Sequence, residues 1–130
     1  MKYPEIDPKL NKVAKAIVDA AYKVHFNLGP GLLEQVYEVC LIKELVKKKL
    51  NVGSQVPVPI YYDGEDLKLG FRLDLLVEDS VIVELKAVDS ILPIHVSQLL
   101  TYLKLSKKRL GLLINFNVPV IKNGIKRIVL

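Results

Sequence analysis

The sequence contains one cysteine, Cys40, one methionine and no tryptophan, and aromatic residues make up only 7% of its 130 positions. A lone cysteine excludes an internal disulfide and every zinc or iron–sulfur centre built on several thiolates. Long hydrophobic runs are also missing. The longest uncharged stretches, 90–103 and 110–121, carry Pro, Asn or Gln and fall short of the roughly 20 apolar residues a membrane helix needs. The opening stretch MKYPEIDPKL has no apolar segment that could serve as a secretory leader.

What is present describes a folded chain. Hydrophobic residues make up 51% and charged residues 25%, a balance unlike that of a disordered tail. The length suits one domain over 1–130, burying roughly two-thirds of the unfolded surface. The expectation is a soluble, cytoplasmic protein. A formal charge of +5 and a pI near 9.3 lean towards a polyanionic partner and give no sign of a membrane.

Periodicity sets the elements. Asp7 and Pro8 suit a helix start, and Leu10, Val13, Ala14, Ile17, Ala21, Val24 and Leu28 recur at helical spacing up to Gly29-Pro30-Gly31. A second helix is expected from near Leu32 to about Leu50, with Lys47, Lys48 and Lys49 at the negative end of its dipole. The period then becomes two. Strands are expected at 56–62, where Pro57 and Pro59 point to a sheet edge, at 67–77 and at 81–88. In the second of these, Leu67, Leu69, Phe71, Leu73, Leu75 and Val77 should share one face. A helix over 94–106, a strand over 110–116 and an Asn123-Gly124 hairpin into a last strand complete the order α–α–β–β–β–α–β–β. Helices flanking a strand meander indicate an α/β sandwich.

Chemistry enters through register. A three-residue loop at Glu78-Asp79-Ser80 pairs Val77 with Val81 and sets Asp74 opposite Glu84, with Cβ atoms about 4.5–5.5 Å apart. Lys86 shares the face of Glu84 and lies diagonal to Asp74. Two facing carboxylates on a half-buried surface need a compensating cation. Lys86 supplies one charge, and a hard divalent metal held by carboxylates and water suits the pair better. A purely structural ion-pair cluster is the plain alternative.

Asp74, then Glu84-Leu85-Lys86 on the following strand, then a helix bearing Gln98 and Tyr102, resembles the PD-(D/E)xK nuclease superfamily. The upstream stretch Gly31-Leu32-Leu33-Glu34-Gln35-Val36-Tyr37 is similar to the signature of its GxxExxY family. The likeness runs from about Lys12 to Phe116, and Leu73 stands where the superfamily name places proline. It implies a restriction-endonuclease-like αβββαβ core, a central mixed sheet flanked by helices, with an extra N-terminal helix and a C-terminal β-hairpin.

The resemblance also implies roles. Asp74, Glu84 and Glu34 would ligate Mg²⁺ or Mn²⁺ with the carbonyl of Leu85, and Lys86 would assist the attacking water. Gln98 would steady the site, with Tyr102 one helical turn away touching nucleic acid. Glu38, one turn after Glu34, could take its place. The substrate would be nucleic acid, DNA ahead of RNA, and a homodimer would match a duplex with two strands to cut. An inactive nuclease-fold module that binds nucleic acid or a protein is the other reading.

Of the basic clusters, Lys104 with Lys107, Lys108 and Arg109 follows the helix carrying Gln98 and Tyr102, where it could guide a phosphate backbone. Few aromatics accompany it, so base stacking is a weak expectation. His25 and His95 lack a metal-type partner at useful spacing, Cys40 lies in an apolar stripe, and Tyr37 reads as a core aromatic. Gly29–Gly31 is no phosphate loop, because no strand precedes it and no Lys-Ser/Thr follows.

Overall fold

Asp7 caps the first helix by accepting a bond from the Lys9 N–H at 2.9 Å, and Pro8 occupies the first turn. In the computed structural model, which describes residues 5–130, this helix is α1 (Pro8–Leu28), followed by α2 (Glu34–Lys47). Met1–Pro4, part of the stretch examined for a leader, lie outside the described residues. Then come β1 (Val52–Tyr62), β2 (Glu65–Val77), β3 (Val81–Lys86), α3 (Pro93–Ser106), β4 (Leu110–Asn115) and β5 (Ile125–Val129). The sheet runs β1-β2-β3-β4-β5, antiparallel throughout except for the parallel pair β3–β4 that α3 connects.

Two apolar layers cover the sheet. Ile17, Ala21 and Val24 of α1 and Tyr37, Leu41 and Leu45 of α2 pack with Leu75, Val77, Val83, Leu85 and Leu112 on one face. Leu99 and Leu103 of α3 pack with Leu73, Ile82 and Leu113 on the other. The expected α/β sandwich with a mixed sheet is the observed one. The proline-bearing strand β1 lies at a sheet edge, as Pro57 and Pro59 indicate.

Several expectations are corrected. The second helix starts two residues later and stops earlier, because the Tyr37 hydroxyl holds the preceding loop and a turn at Lys48 and Lys49 closes the end. The strand β1 begins at Val52, paired with Val77, and β3 ends at Lys86. Asn123 and Gly124 form no two-residue hairpin; they close a 3₁₀ turn over Ile121–Gly124 that feeds β5.

The larger correction concerns β2. Phe71 and Leu73 pack towards α3, whereas Leu75 and Val77 pack towards α1 and α2. The partner strand does the same, with Val56 and Val58 on the α3 side and Val52 on the other. Register is regular on both sides of the change, Ser54 facing Leu75 and Val56 facing Leu73, but the intervening Gln55 and Asp74 do not pair. Gln55 has φ of 52°, a left-handed kink in an extended strand, which turns Val56 and Val58 to the opposite face.

Candidate active site

The β2–β3 ladder covers only Leu75–Val77 against Val81–Val83, the register expected from the three-residue loop. One step further, side chains replace the ladder. The Asp74 N–H donates to Glu84 Oε2 at 2.8 Å, and the Leu85 N–H donates to Asp74 Oδ2 at 2.9 Å. The strands thus part at the two acids, and the β1–β2 hairpin continues beyond β3 with Val56, Val58 and Phe71 packed in the α3-side cluster. Glu84 follows Ile82 on the α3 face and is 6% exposed; Asp74 and Lys86 are half-buried.

The α2 helix approaches the same place. Gly29 and Gly31, at φ of 73° and 98°, turn the chain between the helices in a conformation that disfavours other residues. The Tyr37 hydroxyl donates to the Gly29 carbonyl at 2.7 Å and accepts from the Leu32 N–H at 3.1 Å. Its ring, fully buried, stacks on Phe116 with centroids 4.6 Å apart. Tyr37 is therefore the core aromatic expected, and it fixes the loop that delivers Glu34 to the first turn of α2.

Electrostatics tie these groups together. Burial pushes the Glu84 carboxyl up to about 8; the charge of Asp74 adds to the rise, and the Asp74 N–H and Lys86 oppose it. Burial likewise raises Asp74, against the pull of the Leu85 N–H. Glu34 is raised first by desolvation and then by Asp74, with Lys86 opposing. Burial raises the Tyr102 phenol, and Glu84 and Asp74 add to it; its ring stacks on Phe71 at 4.3 Å. Among the described residues Lys86 makes no contact ion pair, so it acts on the acids through space.

The expected residues do not all arrive together. Glu34, Asp74, Glu84 and Lys86 act on one another's charges, and Tyr102 lies within reach of Glu84 and Asp74. Among the described residues, however, no three His, Cys, Asp or Glu side chains are grouped to hold a metal ion. Asp74 and Glu84 each turn one oxygen to the opposing backbone, and Glu34 stands at the exposed start of α2. The Asp74–Glu84 pair suits a hard divalent cation: its donors are oxygens, Glu84 is buried and Asp74 half-buried, and among the described residues no contact cation balances it.

Gln98 is exposed, one turn before Tyr102, and makes no hydrogen bond to the acids. Lys104 sits about 200° around α3 from Tyr102. Lys108 Nζ bonds the Asp79 carbonyl at 2.8 Å, and Arg109 Nε bonds the Leu130 carbonyl at 2.7 Å. These contacts hold Lys108 at the β2–β3 turn and Arg109 at the end of β5; Leu110, next in the chain, faces Val81, about 10 Å of strand before Glu84. Exposed Lys107 precedes them. His25 bonds the Val118 carbonyl at 2.7 Å, and His95 Nδ1 accepts from the Leu92 N–H, so both are structural.

Two neighbours, Gln55 and Asn115, carry little sequence signal. Glu38 Oε1 accepts from Ser54 Oγ at 3.1 Å and from Gln55 Nε2 at 3.0 Å, which fastens α2 to the kink in β1. Helical spacing from Glu34 marks Glu38; nothing in the sequence marks Gln55. Buried Asn115 bonds both the N–H and the carbonyl of Val88 and so holds the chain leaving Lys86.

A family model of the PD-(D/E)XK nuclease superfamily matches residues 11–128. No curated protein matches the chain. No solved structure matches it either. Among the described residues, no helix is long and apolar enough to cross a membrane.

Proposed function

Because the chain belongs to the PD-(D/E)XK nuclease superfamily, we propose that it hydrolyses phosphodiester bonds of nucleic acid, DNA ahead of RNA, at the Asp74–Glu84–Lys86 cluster. The observation that carries the reading is the exchange of bonds between Asp74 and the Glu84-Leu85 segment, with Lys86 beside it and Glu34 facing it from α2. Asp74 and Glu84, with the Leu85 carbonyl, would hold Mg²⁺ or Mn²⁺. When bound, such an ion polarises the phosphate and lowers the pKa of a coordinated water.

The chain's own residues do the rest. Lys86 orients the attacking water and neutralises charge that builds on the phosphoryl oxygens. Glu34 receives a hydrogen bond from that water and aligns it with the leaving group. The new P–O bond forms as the bond to the 3′-oxygen breaks, leaving a 5′-phosphate and a 3′-hydroxyl. Gln98 and Tyr102 border the α3 side, and Lys104 and Lys107 meet the backbone of a longer substrate. A homodimer would place two such sites on a duplex.

Purified protein incubated with single- and double-stranded DNA and RNA, with Mg²⁺ or Mn²⁺, tests this. Cleavage that disappears in Asp74→Ala and Lys86→Ala supports it. Cleavage that persists unchanged in both defeats it, because another protein would then be the active species. Burial of Glu84, which favours its neutral form, supports a second reading, a nuclease-fold module that binds without turnover. Calorimetry with Mn²⁺ separates the two: no metal uptake alongside salt-dependent DNA binding selects the module.

A further inference from the structure

The kink at Gln55 lies beside Asp74 and interrupts a register that is regular on either side. A left-handed φ in a strand is strained for a residue with a side chain and persists only where neighbours hold it. Here Glu38 is the holder. Its Oε1 takes the side chains of both Ser54 and Gln55, joining the exposed edge strand to a helix packed in the core. Both strands change faces at this point, and Asp74 emerges at the change.

We infer that Glu38 and Gln55 are positioning residues: α2 holds the β1 kink, and the kink aims the Asp74 carboxylate at the Leu85 N–H and into the site. The inference rests on the nuclease reading only in giving Asp74 a catalytic purpose; the mechanical link stands on the contacts themselves. Glu38 and Gln55 also act on the Asp74 carboxyl, Glu38 by its charge and Gln55 by a side-chain hydrogen bond. Glu38 Oε1 receives two donors from β1, so its part is to hold the strand.

Amide hydrogen exchange in the metal-free protein tests the link, because the Leu85 N–H is protected by Asp74 itself. In Glu38→Ala and in Gln55→Ala, Leu85 protection should fall about tenfold or more, while Val83 and Leu112 in the core keep theirs. Glu38→Gln retains an oxygen acceptor and should keep Leu85 protected. The double variant should lose less than the sum of the two single ones, since they share the Glu38–Gln55 bond. Unchanged Leu85 exchange in Glu38→Ala overturns the inference, as does a loss in Glu38→Gln equal to that in Glu38→Ala. A loss shared by all core amides also overturns it, marking a general stabilising role. A wild-type chain that cleaves nothing removes the nuclease reading and leaves this measurement to decide the link by itself.

Discussion

The Asp74 N–H donates to Glu84 Oε2 at 2.8 Å, so the backbone of one acid is held by the side chain of the other at the point where β2 and β3 separate. Both carboxyls are raised by burial, and among the described residues no contact cation offsets them. Such groups are kept for chemistry at a cost in stability. Asp74→Asn and Glu84→Gln should therefore lower cleavage by at least about 10²-fold. The same variants should melt no lower than wild type at pH 8 without metal, by calorimetry or circular dichroism. A clear fall in melting temperature would mean that the ionised pair stabilises the fold.

The pH dependence of stability follows from Glu84, whose carboxyl moves from 4.5 to about 8 on folding. Between those values the native state holds a proton that the unfolded state has released. Stability is thus fully present below about pH 4.5 and is lost as pH rises towards 8, on the order of a few kcal/mol, before levelling off. Asp74 and Glu34 are raised too and act in the same direction at their own values. Denaturant melts of metal-free protein from pH 5 to 9 should show this decline, and Glu84→Gln should flatten it. Mn²⁺ should restore stability most at the alkaline end. A wild-type profile that rises with pH would reverse the assignment.

Much of this site is legible in the sequence, and the reason is local. The Glu78-Asp79-Ser80 loop fixes Val77 against Val81, and counting on from that register brings Asp74 beside Glu84, where side chain-to-backbone bonds take over from the ladder. Helical spacing likewise gives α1 and its packing face. Counting fails where the backbone leaves its period. Nothing about Gln55 as a residue type announces a left-handed φ, so the change of face between Leu73 and Leu75 is invisible beforehand. Long-range placement fails for a similar reason: Lys108 and Arg109 adjoin α3 in sequence, yet they are fastened to Asp79 and Leu130.

Tyr37 secures the loop before Glu34 through two bonds, one to the Gly29 carbonyl and one from the Leu32 N–H. Removing only the hydroxyl leaves the stack on Phe116 intact and strands both partners. Tyr37→Phe should lose about 1–3 kcal/mol by urea denaturation, because the hydroxyl site is buried. Leu32 amide exchange should quicken, and any cleavage should weaken with the core amides still protected. Wild-type stability in Tyr37→Phe would show that the glycine-rich loop holds Glu34 without the hydroxyl.

Nucleic-acid binding, if it centres on the parting of β2 and β3, should depend on some cations and ignore others. Lys86 lies beside the acids and has no contact ion pair among the described residues, so it is available to a phosphate. Lys108 is occupied by the Asp79 carbonyl and by the Asp79 carboxylate at 3.5 Å. Each phosphate contact contributes about 0.7–0.9 to the slope of log affinity against log salt. Lys86→Met should thus lower the slope by about that amount, measured by fluorescence anisotropy with a DNA duplex in Ca²⁺ at several salt concentrations. Lys108→Met should leave the slope unchanged and destabilise the fold by at most about 1 kcal/mol. The reverse pattern would move the nucleic-acid path to the β2–β3 turn, away from the acids that are to cleave it.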